Sequence, residues 1–332
     1  MPLLDGADAA AIARAARHLA DGQLLAFATE TVYGLGARAD SNAAVAAVFA
    51  AKGRPADHPL IVHVADAAQA APFMAWPGAA PPAAFSRLVQ ACWPGPVTVI
   101  VPRAPGLGAA AAGGQDSIGL RCPSHPVAQA LLRAASSLGV PGVAAPSANR
   151  FGRVSPTCAA HVAQEFGAGL WVLDGGDCAL GIESTIIDLS RGAPVLLRPG
   201  VLTRAQLQAA LGQPLADADA HAPRAPGTLA AHYAPTARLR LWTAAALAQA
   251  LQTAAGRAAG LAVYSRRSVP PPAGVRWVVM PDDPAAVAHE LFAVLRRLDA
   301  DGASDIWVEH PPGEPAWEGV IDRLRRAAAN PT

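Results

Sequence analysis

Lysine is almost missing from this chain. Of the 26 basic side chains in 332 residues, 25 are arginine and one, Lys52, is lysine. A bias of that kind puts a guanidinium wherever a generic cation serves. A lysine that persists against it points to a need for a compact ammonium on a flexible stem, which a planar fork does not replace. The plain alternative is chance and a salt bridge. Tyrosine and asparagine are also scarce, at three copies each, so Tyr33 and Asn149 carry some weight. The four cysteines (Cys92, Cys122, Cys158 and Cys178) form no C-x-x-C pair. Their spacing argues against a zinc site and a disulfide framework, and fits a reducing cytoplasm. No uncharged apolar run reaches the length of about 18 residues that reads as a membrane span. Asp5 and Asp8 precede the first base, so a signal peptide is not expected. A net charge of +1 implies no overall positive field for nucleic acid, although it leaves room for a local basic groove.

Several motifs are missing too. There is no G-x-x-x-x-G-K-[ST], no G-x-S-x-G elbow and no H-E-x-x-H, and Gly34-Leu-Gly36 lacks the third glycine of a dinucleotide fingerprint. Asp282-Asp283 reads as a helix cap rather than a metal site. What remains is an alanine-rich globular chain, 52% hydrophobic and 15% charged, long enough for two domains.

Taken in order, the chain reads as mixed α/β. Helices are expected at 7–21, from Ser41 or Asn42 to Lys52, over 66–92 with a Pro-rich break at Pro77–Pro82, at 125–138, at 156–166 and at 203–211. Ser155 is expected to cap the helix at 156–166, with Pro156 in its first position. Strands are expected at Leu24–Phe27, Leu60–Val64, Val97–Val101, Ser117–Arg121, Val140–Ala145, Leu170–Leu173, Ser184–Leu189 and Val195–Leu197. Residues 103–116, rich in Gly and Ala, read as a mobile loop. The segment 212–236 is too long for an ordinary connection and reads as a linker or active-site loop. Beyond it, strands at 238–242, 260–264, 275–280 and 305–309 alternate with helices at 243–256, 284–298 and 315–328.

The chemistry on offer is oxyanion binding. Lys52 and Arg54 lie two residues apart, Arg121 and Arg198 each close a strand, and Ser147, Asn149 and Ser155 cluster around two prolines. Guanidinium forks and short hydroxyls suit phosphates and carboxylates. Singly, each arginine reads as a surface cation; their shared position at strand ends argues for the set. His63 is either a hydrogen-bonded core residue or a ligand contact, and Thr29, Thr31, Ser184 and Thr185 read equally well as cap or turn residues. His18, His161 and His289 read as helix-surface histidines without a role.

T-E-T-V-Y-G-L-G, K-G-R-P-A-D-H-P-L-I-V-H-V, W-P-G-P-V-T, S-I-G-L-R-C-P, A-P-S-A-N-R-F-G-R-V-S-P-T, D-G-G, G-I-E-S-T-I-I-D-L and L-L-R-P-G follow one another here as they do in the YrdC-like domain. With P-G-T-L-A-A-H-Y-A-P and the α/β segment after it, the chain resembles the long form of the L-threonylcarbamoyladenylate synthase family over nearly its whole length. The resemblance implies a YrdC-like twisted mixed sheet with helices around it at 5–205, a linker and active-site lid at 206–236, and a smaller Rossmann-like α/β domain at 237–330. It implies a reaction in which L-threonine, bicarbonate and ATP, the last with Mg2+, give threonylcarbamoyl-AMP and pyrophosphate. The product would pass to a tRNA threonylcarbamoyl-transfer complex that modifies adenosine 37 of tRNA.

Carried over by position, Thr31, His63, Arg121, Ser184 and the backbone at Ala145 match threonine-binding positions. Arg54, His58, Ser117, Ser147, Asn149, Ser155, Arg198, His232 and Tyr233 match ATP-binding ones. Lys52 and Arg54 are the expected catalytic cations, and no protein-held metal site is implied. Departures are Ala28 in place of proline, His58 in place of asparagine, and Ala230-Ala231 where basic residues often precede H-Y. Two other readings stand beside this one. An RNA-binding YrdC-like module without catalysis would make a weak RNA contact on a concave surface. A hydrogenase-maturation carbamoyl transferase would need an acylphosphatase-like region and zinc-finger cysteines, and this chain has neither.

Overall fold

The computed structural model describes residues 2–78, 80–253, 260–267 and 273–329. Its contacts divide the chain into two units: Met1–Phe151 with Ser155–Thr228, and Gly152–Val154 with Leu229–Thr332. Helices and strands mix in both.

The first unit is built on a twisted mixed sheet. Its strands are β1 (Leu3–Asp5), β2 (Leu25–Phe27), β3 (Gly34–Arg38), β4 (Ile61–His63), β5 (Val97–Pro102), β6 (Ser117–Arg121), β7 (Val143–Ala144), β8 (Trp171–Asp174), β9 (Thr185–Asp188), β10 (Val195–Arg198) and β11 (Ala216–Asp217). They lie in the order β1-β8-β2-β3-β7-β4-β6-β5-β9-β10-β11. The pairs β4–β6 and β5–β9 are parallel, whereas β5–β6, β4–β7 and β9–β10 are antiparallel. Helices α1 (Ala9–Ala20) and α5 (Pro126–Ser137) pack on one another, burying Ala11, Ala15, Leu19, Leu131 and Leu132 in one apolar cluster. A second cluster joins α2 (Asn42–Lys52), α4 (Ala83–Cys92) and α7 (Arg204–Leu211) to the sheet through Val45, Val48, Leu88 and Leu207. Each such side chain contributes about 1.5–3 kcal/mol when fully buried.

Local signals explain where these helices begin and end. Asp8 caps α1 by accepting from Ala10 N at 2.9 Å, and Ser41 caps α2 by accepting from Ala44 N at 3.3 Å. Gly53, at φ 65°, closes α2 in the left-handed region open to glycine, one residue past Lys52. Thr203 and Gln206 form a reciprocal capping box on α7.

The structure departs from the sequence reading in several places. The strands β1, β3 and β11 were not expected; β3 in G-L-G-A-R has too little apolar alternation to signal a strand. The helical stretch at 66–92 is α3 (Ala67–Ala70), a 3-10 turn and α4, and its Pro-rich break includes residue 79, which lies outside the described residues. Residues 103–116 are not a loose loop, because Ala111 and Ala112 are fully buried and Leu60 N donates to Ala111 O at 2.7 Å. Ser155 is not the cap of α6 (Ala159–Phe166), which starts four residues later behind Cys158; the Ser155 hydroxyl donates to Glu183. The segment 206–236 is not a single linker. It includes most of α7 and all of β11, and by contacts its residues belong to the first unit up to Thr228 and to the second from Leu229.

The second unit is a four-stranded parallel sheet of β12 (Arg238–Trp242), β13 (Leu261–Ser265), β14 (Arg276–Val279) and β15 (Asp305–Glu309), ordered β12-β15-β13-β14. Helices α8 (Ala244–Thr253), α9 (Pro284–Ala300) and α10 (Glu318–Ala328) accompany it. The helix expected over 243–256 matches α8 as far as Thr253; residues 254–256, and residue 330 of the expected domain, lie outside the described residues. Gly152–Val154 join this unit through hydrogen bonds from Ala234 N to Gly152 O at 2.9 Å and from Arg296 to Val154 O.

Candidate active site

Strand register assembles the first group of polar side chains. His63 lies opposite Arg121 across β4–β6, and Arg121 lies opposite Thr98 across β5–β6. Thr98 Oγ1 is 2.8 Å from Ser184 Oγ, just ahead of β9. Arg198, the last residue of β10, donates through Nε and Nη2 to Ser184 O at 3.0 and 2.9 Å, and through Nη2 to Ser184 Oγ at 3.1 Å. All five side chains are buried. The turn between β2 and β3 adds Thr31, whose Oγ1 accepts from Arg121 Nη1 at 2.8 Å, and Glu30, whose carboxylate lies 2.8 Å from Arg121 Nη2. Thr29 organises that turn, its hydroxyl accepting from Thr31 N and Val32 N and donating to Val32 O.

W-P-G-P supplies the remaining partner. Arg121 Nε donates to Gly95 O at 3.3 Å. A Cβ on Gly95 would lie 2.3 Å from Cys92 O, so only glycine lets the chain pass there.

Burial controls the charges. It pushes His63 down to about pKa 3, reinforced by the Arg121 guanidinium, so the ring is neutral. Its Nδ1 has no hydrogen-bond partner, the kind of vacancy a polar ligand fills. For Glu30 burial acts to raise the pKa, but Arg121 outweighs it and holds the carboxyl below its ordinary value.

Loops hold the second group. The Lys52 ammonium, at the end of α2, is buried and donates to Ser147 O at 2.6 Å and to Asn149 O. An ammonium has three donors, so a third remains for a ligand. Burial, then Arg54, lowers its pKa well below the ordinary lysine value. Arg54 donates from Nη2 to Pro59 O at 2.9 Å and from Nε to His58 O at 3.4 Å, and lies 5.6 Å from the Phe151 ring. His58 meets the same ring edge-on at 5.4 Å. Its pKa is lowered by partial burial first and by Arg54 second. Asn149 Nδ2 donates to Arg150 O at 2.7 Å.

A cleft opens beside Thr98 of the strand-end group and Pro59, whose carbonyl accepts from Arg54. Ile61, Thr98, Ser117, Gly119 and Ile186 form part of its floor, and Pro59, Arg224 and Pro226 line it too. It measures about 250 Å3 with its open mouth. Three of its lining residues have arginine neighbours: Pro59 O accepts from Arg54, Pro226 O accepts from Arg198 Nη1 at 2.9 Å, and Thr98 stands opposite Arg121. Gln115 fastens the 224–226 segment, donating to Arg224 O at 3.1 Å and accepting from Arg224 N at 2.8 Å. Among the described residues, no three His, Cys, Asp or Glu side chains gather as a metal site.

Comparison with known proteins bears on this geometry. The Sua5–YciO–YrdC family model, described as "Telomere recombination", matches residues 17–200. A second, described as "Threonylcarbamoyl-AMP synthase, C-terminal domain", matches residues 202–329. The threonylcarbamoyl-AMP synthase of Bacillus subtilis is 37% identical over 329 residues, covering 96% of this chain and 92% of that protein. The chain belongs to the threonylcarbamoyl-AMP synthase family. The Schizosaccharomyces pombe member is 32% identical over 92% of this chain and 85% of its own length. A crystal structure of P. abyssi Sua5 complexed with L-threonine superposes with a TM-score of 0.88 at 32% identity, covering 98% of this chain and 97% of that one. A P. abyssi Sua5 with a His-Tyr pair changed to alanines also gives a TM-score of 0.88 at 32% identity, covering 99% of this chain and 96% of that one.

Of the residues that the threonylcarbamoyl-AMP synthase resemblance points to, the structure gathers Thr31, His63, Arg121 and Ser184 at the strand ends. Ala145 is tied to β4 by a bond from its N to Ile61 O at 2.9 Å. Lys52, Arg54, His58, Ser147 and Asn149 form the second group, with Ser117 at the cleft, Arg198 on Ser184 and Ser155 on Glu183. His232 and Tyr233 lie in the second unit. There Tyr233 adopts φ 62°, rests 5.6 Å from Phe292 and lies under the Arg323 guanidinium at 5.3 Å. Sequence reasoning passed over three buried residues: Glu30, Thr98 and Glu183. All three stand within or beside quoted motifs, and the improbability of an unpaired buried carboxylate could have singled out the two acids.

Proposed function

We infer that the first unit makes threonylcarbamoyl-AMP, a nucleotidyl transfer in which L-threonine, bicarbonate and ATP give the adenylate and pyrophosphate. The observation that carries this reading is the buried strand-end cluster. Arg121 can take the α-carboxylate of an amino acid, neutral His63 has an open nitrogen, and the Thr31 and Ser184 hydroxyls lie on either side. Lys52, one donor still open, stands on the loop group of the same unit.

The amine of bound threonine takes up carbon dioxide or bicarbonate to form a carbamate. A carbamate oxygen then attacks the α-phosphorus of ATP, and pyrophosphate leaves. Such a displacement needs alignment and charge neutralisation more than a protein nucleophile. Lys52 and Arg54 meet the developing charge on carbamate and phosphate, Arg121 fixes the carboxylate, and Ser147, Asn149, Ser155, Ser117, His58 and Arg198 position the nucleotide. An arriving polyanion favours the charged form of Lys52 and so opposes the effect of burial. Magnesium would accompany ATP as part of the substrate and offset the charge of its phosphates.

In this reading His232 and Tyr233 contribute to nucleotide binding, and the product passes to a tRNA threonylcarbamoyl-transfer complex in the cytoplasm. No described helix is long and apolar enough to cross a membrane, and all four cysteines are free thiols. The relatives' shared enzymatic name and the threonine complex of one of them support catalysis over RNA binding alone. Pyrophosphate release from ATP should require both threonine and bicarbonate and no RNA; release without threonine would overturn the reading.

A further inference from the structure

Gly119 is a glycine without a local reason to be one. It sits in the middle of β6, where a residue with no side chain weakens the strand. Its φ is not in the left-handed region, so backbone freedom does not call for it. Close packing does not call for it either. A Cβ there would lie 3.4 Å from Thr98 Cγ2, 3.6 Å from Ile61 Cγ1 and 4.0 Å from Ile100 Cγ1, all ordinary contacts. The fold has room for alanine at this position. What alanine would take away is space in the cleft that Gly119 lines.

Register shows what surrounds that space. Gly119 stands between Ile61 on β4 and Ile100 on β5, and two residues before Arg121 on the same face of β6. Ile186, opposite Thr98 on β9, extends the apolar surface. The segment 222–226 packs on this face, where Ala225 joins Ile61, Ile100 and Ile186 in one apolar cluster. From that segment Arg224 and Pro226 line the cleft. Arg224 Nη2 is held by Gly113 O at 2.9 Å, and Pro226 O by Arg198.

The cleft therefore runs between aliphatic side chains of the sheet and a guanidinium and proline ring of the covering segment. A flat heteroaromatic ring stacks on such surfaces. At about 250 Å3 with its mouth, the cleft is smaller than the roughly 300–1,000 Å3 of pockets that enclose a drug-sized ligand, which suits one ring of a larger substrate. A phosphate is a poor occupant of the floor, because aliphatic groups give it no hydrogen bond in exchange for water.

Resting on the nucleotidyl transfer inferred above, we propose that this cleft seats the purine ring of ATP and that Gly119 is the residue that leaves room for it.

The test measures pyrophosphate release by the full chain, with Gly119→Ala and Gly119→Val beside the unaltered protein. Gly119→Ala should raise the KM for ATP about tenfold or more, while the KM for threonine and the inhibition constant of pyrophosphate stay within about twofold. Its melting temperature should hold or rise, because alanine loses less freedom than glycine on folding. Gly119→Val should weaken ATP further; if it fails to fold, the alanine variant gives the reading alone. An unchanged KM for ATP in Gly119→Ala overturns the proposal. So does an equal rise in the KM for threonine, which would give the cleft to the amino acid, or in the pyrophosphate constant, which would give it to the phosphates. Failure of the enzymatic reading looks different: the unaltered chain would then release no threonine-dependent pyrophosphate.

Discussion

Arg121, His63 and Thr98 stand on strands whose register fixes their spacing, while Lys52 at the end of α2 and Arg54 on the loop after it are held by carbonyl oxygens, those for Lys52 belonging to Ser147 and Asn149. Lys52 is anchored to oxygens 95 and 97 residues away in sequence. On the strands, the backbone that positions a side chain is already committed to the sheet, so a substitution leaves the path of the chain in place. In the second group, the Lys52 ammonium is itself a tie that holds two chain segments together. Its loss removes the charge and the scaffold at once.

Experiments can press on that contrast, beginning with the largest expected effect. Lys52→Ala should lower kcat for pyrophosphate release by at least about a hundredfold, and Lys52→Arg should fail to rescue it, because a fork cannot occupy the two-carbonyl seat. Full activity in either variant would end the role given to Lys52. Next comes Arg121→Met. It should raise the KM for threonine roughly a hundredfold or more with little change in the KM for ATP. It should also cost about 3–5 kcal/mol in denaturant melts, since Glu30 is left as an unpaired buried charge. Adding Glu30→Gln should return much of that stability but none of the threonine affinity. A double variant that regains both would show that Arg121 is only a structural partner.

Acid stability separates the groups further. His63 is neutral when folded, with a pKa of about 3, and takes a proton near pH 6.5 when unfolded. The unfolded state thus binds more protons as pH falls from about 6.5 toward 3, and His63 subtracts stability across that window by at most about 1.4 kcal/mol per pH unit. His63→Gln should flatten the decline seen in urea titrations between pH 6 and 4; an unchanged slope would remove His63 from the account. Thr98→Val should cost about 1 kcal/mol through the lost Ser184 contact, with a modest rise in threonine KM. At the bottom of the scale, His161→Ala should leave turnover within about twofold.

The same contrast governs what could be read from the amino acids alone. Strand-end residues announce themselves: Arg121 and Arg198 close apolar runs of strand length, and both were found that way. The start of α2 was legible to within a residue, at Ser41 or Asn42, because capping depends on residues only a turn away. Ser155 defeated that logic. It precedes a proline and a helical pattern, yet its hydroxyl serves Glu183, 28 residues further along, and no local rule reports a partner so distant. The strand β3 escaped for a related reason. G-L-G-A-R is a poor strand by propensity and is held by neighbours on both sides, β2 and β7. Residues 103–116 look loose by composition and are pinned by contacts such as that of Ala111 with Leu60. Single residues such as His63 stayed ambiguous until register placed it beside Arg121, and family resemblance, not spacing, supplied the chemistry in the meantime.

A protein with one side-chain amine carries its own reporter. Apart from the α-amino group, an acylating reagent has Lys52 as its sole lysine target, so intact-mass measurement counts adducts at that position without digestion or mapping. Protection of that one adduct by ATP, threonine or both would time the order in which substrates enter, using the unaltered chain.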